Sequence, residues 1–189
     1  MSTILDSIII GCWMIFIGYW AVSAFGQKAT AEQKGFLSTL TYRTPLTLGG
    51  FLLWFSGFPH PLNLVLTPHT DLAQAFGAMV CVFGLFVTIW SRRTLGGNWS
   101  SEVAFKQGHE LVKTGPYRFA RHPIYTGLLL MCLGTAVEVG QLHSWLGFLL
   151  LFAGFWIKLM QEEALMLRYF PNEYPAYQKQ VKALVPFVI

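Results

Sequence analysis

Residues 106–127, KQGHELVKTGPYRFARHPIYTG, decide how the whole chain is interpreted. They form the longest polar, ionisable run in an otherwise apolar sequence, with two histidines, four basic residues and two prolines. The run leads directly into an apolar segment, and Pro123 stands where the first turn of a helix tolerates proline. This pattern predicts a polar loop at the edge of a membrane bundle, at the point where a helix begins.

Composition favours a membrane protein. The chain has 189 residues, of which 54% are hydrophobic and 12% are charged, whereas soluble domains carry about 25% charged residues. The mean hydropathy of +0.49 agrees, and the length predicts a single domain, residues 1–189. Cys12, Cys81 and Cys132 each lie in an apolar run and are odd in number, which argues against a disulfide framework or a zinc site.

Five apolar runs predict an all-α bundle of five transmembrane helices. A run of about 20 residues covers the ~30 Å hydrocarbon core at about 1.5 Å per residue. The first run has no basic residues before it and is predicted to be a retained anchor. The predicted spans are residues 4–24, 45–58, 71–90, 123–139 and 144 to beyond 170, with loops at 27–43 and 91–121.

Turn signals separate these spans. Pro45 is predicted to open the second span, and Thr70 or Asp71 to cap the third. A tight turn at 140–143 predicts that the fourth and fifth spans form an antiparallel hairpin. Whether residues 59–70 re-enter the bilayer stays open.

Charge placement predicts the topology. With five spans, all 13 Lys and Arg residues fall on one side, and Asp6, Asp71 and Glu138 are the charges on the other. The positive-inside rule then predicts a cytoplasmic C-terminus and an outside N-terminus, in the inner membrane if the source is bacterial. The formal net charge of +4 therefore reflects topology and membrane lipids rather than a nucleic-acid partner.

Ionisable residues near the end of the last span are candidates for chemistry. Charges at membrane depth are costly, so Lys158, Glu162 and Glu163 are functional candidates. Lys158 and Glu162 are four residues apart and are able to pair on one helix face. The alternative is a lysine that reaches the interface and a solvated helix end.

The end of the polar loop offers a binding surface. Tyr117 and Tyr125 supply ring faces for a purine or a sulfonium, and a helix start near His122 supplies free backbone N–H groups for a carboxylate. His122 could instead be only a helix cap, and Tyr125 an interfacial belt residue.

Other motifs give no competing site. The chain has no GxGxxG after a strand, no Walker loop, no HExxH and no GxSxG. Three histidines are predicted on the opposite side from His109 and His122, and no metal site is assigned. They are His60, His69 and His143.

The string GHELVKTGPYRFARHPIYTG, with LGGNWS before it and EEALMLRYFPNEYPAYQKQVKALVPF after it, resembles the isoprenylcysteine carboxyl methyltransferase family. That family is related to the membrane phospholipid N-methyltransferases. The resemblance covers roughly residues 71–189, which become the expected catalytic core, with the first two spans in residues 1–70. It implies a membrane methyltransferase that holds S-adenosylmethionine in a cytoplasmic pocket.

The resemblance also implies roles for individual residues. Cofactor-binding roles fall on His109, Leu111, Val112, Tyr117, His122, Pro123, Ile124, Tyr125 and Glu162. From the ionisable residues themselves, we assign catalytic roles to Lys158, Glu162 and Glu163, and substrate-binding roles to Lys158 and Arg121. Lys158 stands where eukaryotic members have an arginine facing the substrate carboxylate, so the charge is kept without the bidentate fork.

The expected acceptor is a lipophilic small molecule or a lipid-modified carboxylate or thiol, entering from the membrane. An ionised carboxylate needs no general base, so the protein would contribute orientation and desolvation. The alternatives are phospholipid N-methylation, with Glu162 or Glu163 as proton acceptor, a nicotinamide-dependent reductase like the sterol reductases, and a membrane scaffold without a cofactor. The oligomeric state stays open.

Overall fold

A computed structural model describes residues 2–25, 28–33, 35–108, 110–186 and 188. It is a helical bundle with one small two-stranded sheet. The elements are α1 (Ser2–Ser23), β1 (Thr30–Gln33), α2 (Phe36–Trp54), α3 (Asp71–Leu95), β2 (Ala104–Lys106), α4 (Pro123–Val139), α5 (Leu142–Tyr169) and α6 (Tyr174–Gln180).

The bundle is built from paired helices. α3 packs along α4, α2 packs along α5, and α1 packs mainly against α3. Two of these contacts depend on glycine. A Cβ on Gly127 of α4 would lie 2.6 Å from the carbonyl oxygen of Gly84 in α3, and one on Gly147 of α5 would lie 2.8 Å from that of Gly49 in α2. Small residues therefore let these backbones approach closely, as is common between membrane helices.

Three helices in the described part of the chain are long and apolar enough to cross a membrane. They are α1, α3 and α5, while α4 is apolar but has only 17 residues. Most large apolar side chains of α1 are exposed, as expected for a helix that faces lipid. The coarse prediction of a mostly helical membrane protein is therefore confirmed.

The predicted loop at 27–43 is wrong in its second half, because α2 begins at Phe36 and contains Pro45. The polar first turns of α2 form hydrogen bonds with Gln161 of α5. Gln161 accepts a hydrogen bond from Ser38 Oγ at 2.8 Å and donates to Thr41 Oγ1 at 2.9 Å. These tertiary contacts stabilise a segment whose composition does not predict a helix.

Other helix boundaries also differ from the prediction. α3 continues past Trp90 to Leu95. Arg92 and Arg93 lie in its last turn, where the helix dipole stabilises positive charges. α5 ends at Tyr169 rather than beyond residue 170, because Pro171 disfavours helical backbone in the residue before it. The predicted cap by Thr70 is confirmed, since Thr70 Oγ1 accepts from the backbone N–H of Ala73 at 3.2 Å.

Two connections shape the ends of the bundle. β1 pairs antiparallel with β2, and this sheet joins the segment between α1 and α2 to the long polar loop. Residues 62–67, between α2 and α3, fold back over the turn from α4 to α5. There the N–H of Leu142 donates to the Leu64 oxygen at 2.8 Å and the N–H of Leu66 to the Gly140 oxygen at 2.8 Å.

Candidate active site

A cavity that encloses about 770 Å³, part of it open to solvent, lies where the long loop, the start of α4, the end of α5 and α6 meet. It is lined by Leu95, Asn98, Trp99, Ser100, Glu102, Ala104, Leu111, Val112, Tyr117, Arg121, His122, Ile124, Tyr125, Glu162, Met166, Tyr174 and Tyr177.

Glu162 brings a carboxylate to the cavity wall. Its Oε1 accepts a hydrogen bond from the Tyr125 hydroxyl at 2.5 Å, and its Oε2 lies 3.5 Å from His122 Nδ1. Tyr125 lies in the first turn of α4 and His122 directly precedes that helix. Each side chain contacts a different carboxylate oxygen of Glu162. Glu162 is therefore fixed in place and still faces the cavity.

Glu163, the next residue, has different partners and does not line the cavity. Its Oε1 lies 2.6 Å from Arg121 Nη2 and 3.2 Å from His122 Nε2. Its Oε2 accepts from Gln178 Nε2 of α6 at 2.8 Å. The Arg121 and Glu163 side chains are each 10% exposed, so this is a nearly buried ion pair that ties α5 to the loop and to α6.

His122 joins the two glutamates. It occupies the N-cap position of α4, yet its side chain makes no capping hydrogen bond. Burial disfavours the imidazolium, but the hydrogen bonds to Glu162 and Glu163 and their negative charges outweigh it and raise the pKa of His122. The ring is therefore more than a helix cap, and its charged form is favoured between two carboxylates.

The C-terminal segment closes one side of the site. The N–H of Arg121 donates to the Lys182 oxygen at 2.8 Å, and the N–H of His122 to the Ala183 oxygen at 2.9 Å. Thr126 Oγ1 donates to the Leu184 oxygen at 2.7 Å. Residues 182–184 therefore run beside the start of α4 and hold it in position.

Three tyrosines near the cavity carry shifted pKa values. Burial and the nearby Glu162 carboxylate raise the pKa of Tyr117, and burial with the charge of Glu163 raises that of Tyr174. Burial raises the pKa of Tyr177 to about 12, against the opposing charge of Arg121. All three therefore stay protonated at neutral pH. The Tyr177 hydroxyl donates to the Tyr117 carbonyl oxygen, which fixes α6 against the loop.

Lys158 is buried behind the cavity wall. Its ammonium donates to the Ser101 carbonyl oxygen at 2.7 Å and lies 5.5 Å from the ring centroids of both Tyr42 and Tyr125. The ion pair with Glu162 that their spacing allowed is not formed within the described residues.

The structure brings most of the predicted site residues together. Those that line the cavity are Leu111, Val112, Tyr117, Arg121, His122, Ile124, Tyr125 and Glu162. Pro123 is buried beside them but is outside the lining, as are Lys158 and Glu163. His109 lies outside the described residues.

Sequence reasoning assigned no role to several other lining residues. Asn98 and Trp99 come from the LGGNWS string, and Tyr174 and Tyr177 from the EYPAY string. Both strings carried the family resemblance, so the signal was present. Their distance along the chain from residues 106–127 concealed that they meet at one cavity.

Comparison with known proteins bears on the same region. Residues 72–173 match the phospholipid methyltransferase family. The chain is 35% identical over 130 residues to the protein-S-isoprenylcysteine O-methyltransferase of Schizosaccharomyces pombe, covering 67% of this chain and 53% of that protein. It is 30% identical over 122 residues to that of Saccharomyces cerevisiae, covering 63% of this chain and 51% of that protein.

A relative from Xenopus laevis with the same name is 25% identical over 187 residues, covering 94% of this chain and 62% of that protein. The chain spans about half the length of the first two relatives. These matches confirm the resemblance to isoprenylcysteine methyltransferases. Because the family match covers more than half of the chain and includes His122 and both glutamates, the chain belongs to the phospholipid methyltransferase family.

Proposed function

We propose that the protein is an integral membrane methyltransferase that uses S-adenosylmethionine to methylate a lipophilic, prenylcysteine-like carboxylate or thiol. The observation that carries the proposal is the meeting of Tyr117, His122, Tyr125 and Glu162 at one cavity within the family region. The prenylcysteine-like acceptor is taken from the names of the relatives.

The residues around the cavity fit S-adenosylmethionine. Glu162 offers carboxylate oxygens to a sulfonium or to ribose hydroxyls. Trp99, Tyr117 and Tyr125 offer rings to adenine or to the cationic sulfur. Ile124 and Tyr125 are in the first turn of α4, where backbone N–H groups have no intrahelical acceptor and suit a carboxylate.

When bound, S-adenosylmethionine supplies an electrophilic methyl group on a sulfonium, and transfer to an acceptor oxygen or sulfur breaks the carbon–sulfur bond and leaves a neutral thioether. The chain itself would orient the two reactants and exclude water. Glu162 would bind the donor, and His122 would hold Glu162 in place. For a carboxylate or thiolate acceptor, no residue needs to remove a proton at the moment of transfer.

Arg121 and Glu163 would support the site rather than contact the acceptor. The guanidinium of Arg121 is bound to Glu163 and to the carbonyl oxygens of Val181 and Gln178. It is therefore committed to holding the C-terminal segment. Lys158, whose ammonium is bound only to the Ser101 carbonyl oxygen among the described residues, is a better candidate to bind an acceptor carboxylate.

The proposed topology follows the charge pattern. α2 and α4 would complete five spans, α4 and α5 would form an antiparallel hairpin, and the cavity would open to the cytoplasm, with the N-terminus outside. Residues 1–189 would form one domain. Cysteines introduced at the exposed Asn63 and at Lys179 would label from opposite sides of sealed vesicles, and labelling from the same side would contradict this topology.

Cofactor binding tests the proposal. Titration calorimetry with S-adenosylmethionine on the purified protein should give at least a tenfold weaker Kd for Glu162→Gln, because hydrogen bonds to a charged group contribute about 1.5–3 kcal/mol. Glu173→Gln, whose exposed carboxylate pairs with Lys113, should bind as the unaltered protein does. Equal affinity in Glu162→Gln would rule out the assigned site, and binding of NADPH alone would select the reductase.

The family match favours phospholipid N-methylation as the second candidate. A neutral amine would then be the nucleophile, and the proton it loses would need an acceptor such as Glu162. Labelled cofactor supplied to membranes decides between the two. Label in mono- or dimethylated phosphatidylethanolamine selects the lipid, and base-labile label released as methanol selects a carboxyl ester.

A further inference from the structure

A second polar cluster lies beside the cavity and is formed partly by α2, outside the family match. Tyr42 of α2 is 2% exposed, and its hydroxyl has no hydrogen-bond partner in the part of the chain that the structure describes. A buried hydroxyl without a partner is costly and therefore uncommon. A ligand that carries a hydrogen-bond acceptor could pair with the Tyr42 hydroxyl.

Lys158 stands next to Tyr42 and also has donors to spare. Its ammonium, 5.5 Å from the centroid of the Tyr42 ring, carries three N–H groups, and within the described residues only Ser101 accepts from it. The Lys158 side chain is buried, since the residue is 8% exposed. The Tyr42 ring and the Lys158 ammonium are thus buried neighbours, and each residue carries unused donors among the described residues.

Arg43, the next residue of α2, adds a second cation at the cavity edge. Its guanidinium forms an ion pair with Glu102, and Glu102 lines the cavity. The Arg43 side chain is 50% exposed, so its remaining N–H groups are accessible. The ion pair therefore places the Arg43 guanidinium beside a residue of the cavity lining.

The cluster holds two cations, Arg43 and Lys158. The carboxylates of Glu162 and Glu102 both lie near enough to act on the Lys158 charge. Glu102 also pairs with Arg43. Glu162 is already held by Tyr125 and His122 and would serve the methyl donor. An anionic group would give an acceptor to the donors of Tyr42 and Lys158 that are unused among the described residues.

We propose that Tyr42, Arg43 and Lys158 bind the anionic oxygen group of the methyl acceptor, with Arg43 held in place by Glu102. The inference rests on the proposed methyltransferase function and names the recognition element for its substrate. α2 would thus supply the guanidinium fork that a lysine at position 158 cannot. The anionic group would be either a carboxylate or a phosphate diester, since both present the same oxygen acceptors.

The test compares acids with neutral analogues that have the same apolar chain. The probes are N-acetyl-S-farnesylcysteine against its methyl ester, and the anionic diester phosphatidylmethanol against diacylglycerol, each titrated into the purified full chain in detergent. We expect the unaltered protein to prefer one anionic probe at least tenfold over its neutral partner. A preference within the first pair identifies a carboxylate, and one within the second pair identifies a phosphate.

Tyr42→Phe and Arg43→Gln should each reduce that preference at least threefold. Both should bind S-adenosylmethionine with unchanged affinity, which also shows that they are folded. Arg168→Gln is the matched control, because Arg168 pairs with Glu32 away from the cavity, and it should keep the full preference.

Absence of any preference in the unaltered protein, or an unchanged preference in both variants, would overturn the inference. Neither result would affect the proposed function if S-adenosylmethionine still binds. Conversely, the anion preference is measured without the cofactor, so failure of cofactor binding would count against the proposed function alone.

Discussion

Glu163→Gln tests whether one nearly buried ion pair holds the site together. The Glu163 carboxylate contacts Arg121 at 2.6 Å, Gln178 at 2.8 Å and His122 at 3.2 Å. Glutamine keeps the volume but removes the charge and replaces one acceptor oxygen with an NH₂ donor. Whichever way the amide is turned, a donor of Arg121 or Gln178 then faces another donor.

The expected loss in the free energy of unfolding is about 3 kcal/mol. Breaking a buried pair from one side costs about 3–5 kcal/mol, because the other charge stays buried without its partner. The lower end applies here, since Arg121 still donates to the carbonyl oxygens of Val181 and Gln178. Equilibrium unfolding of the detergent-solubilised protein measures the loss.

Glu173→Gln is the control, because Glu173 and its partner Lys113 form an exposed ion pair. Their side chains are 62% and 41% exposed, respectively. Such exposed pairs contribute about 0–1 kcal/mol. The double variant Arg121→Met with Glu163→Met should lose less than the sum of its single variants, since it removes both charges together. A loss below 1 kcal/mol in Glu163→Gln, equal to that of the control, would refute the assignment of a buried counter-ion.

Two further predictions concern pH and helix packing. The pKa of His122 is raised in the folded protein, so its contribution to stability is fully present below about pH 6.5 and is lost as pH rises through the folded-state pKa. The difference in Tm between the unaltered protein and His122→Gln should therefore shrink between pH 6 and pH 9, and a growing difference would contradict the assigned interactions. In Gly127→Ala the new Cβ would lie 2.2 Å from Thr88 Oγ1, so we expect a loss of about 1–3 kcal/mol from overpacking. Gly50→Ala, with nothing within 4 Å of the new Cβ, should be at least as stable as the unaltered protein, because alanine favours a helix over glycine by about 1 kcal/mol. Equal stability of both variants would argue against the close α3–α4 contact.

The long apolar helices could be predicted because their signal is local. α4 has the predicted bounds, from Pro123 to Val139. α3 starts at its predicted cap. The start of α2 could not be predicted, since its polar first turns depend on Gln161, more than a hundred residues away. The sheet was missed for the same reason, because β1 and β2 are short and pair across α2 and α3.

The site could be predicted in part on similar grounds. The sequence shows His122 and Tyr125 at the start of α4 and the paired glutamates near the end of α5 as recognisable strings. The sequence does not show which groups each carboxylate contacts. The spacing of Lys158 and Glu162 allowed a pair, yet Lys158 bonds to a backbone oxygen of the loop. Tertiary placement, rather than helical spacing, decides which charges meet.

The segment before the family match makes direct contacts with the loop that borders the cavity. Lys28, just before β1, donates to Asn98 Oδ1 at 2.8 Å and to the Gly108 oxygen at 2.7 Å. Asn98 lines the cavity, and Gly108 belongs to the loop that forms its edge. Since α2 also places Arg43 against Glu102, two independent contacts fix this loop from outside the family region. A core limited to residues 71–189 would keep the proposed donor-binding residues but lose the contacts that position the loop and, on our inference, those that select the acceptor.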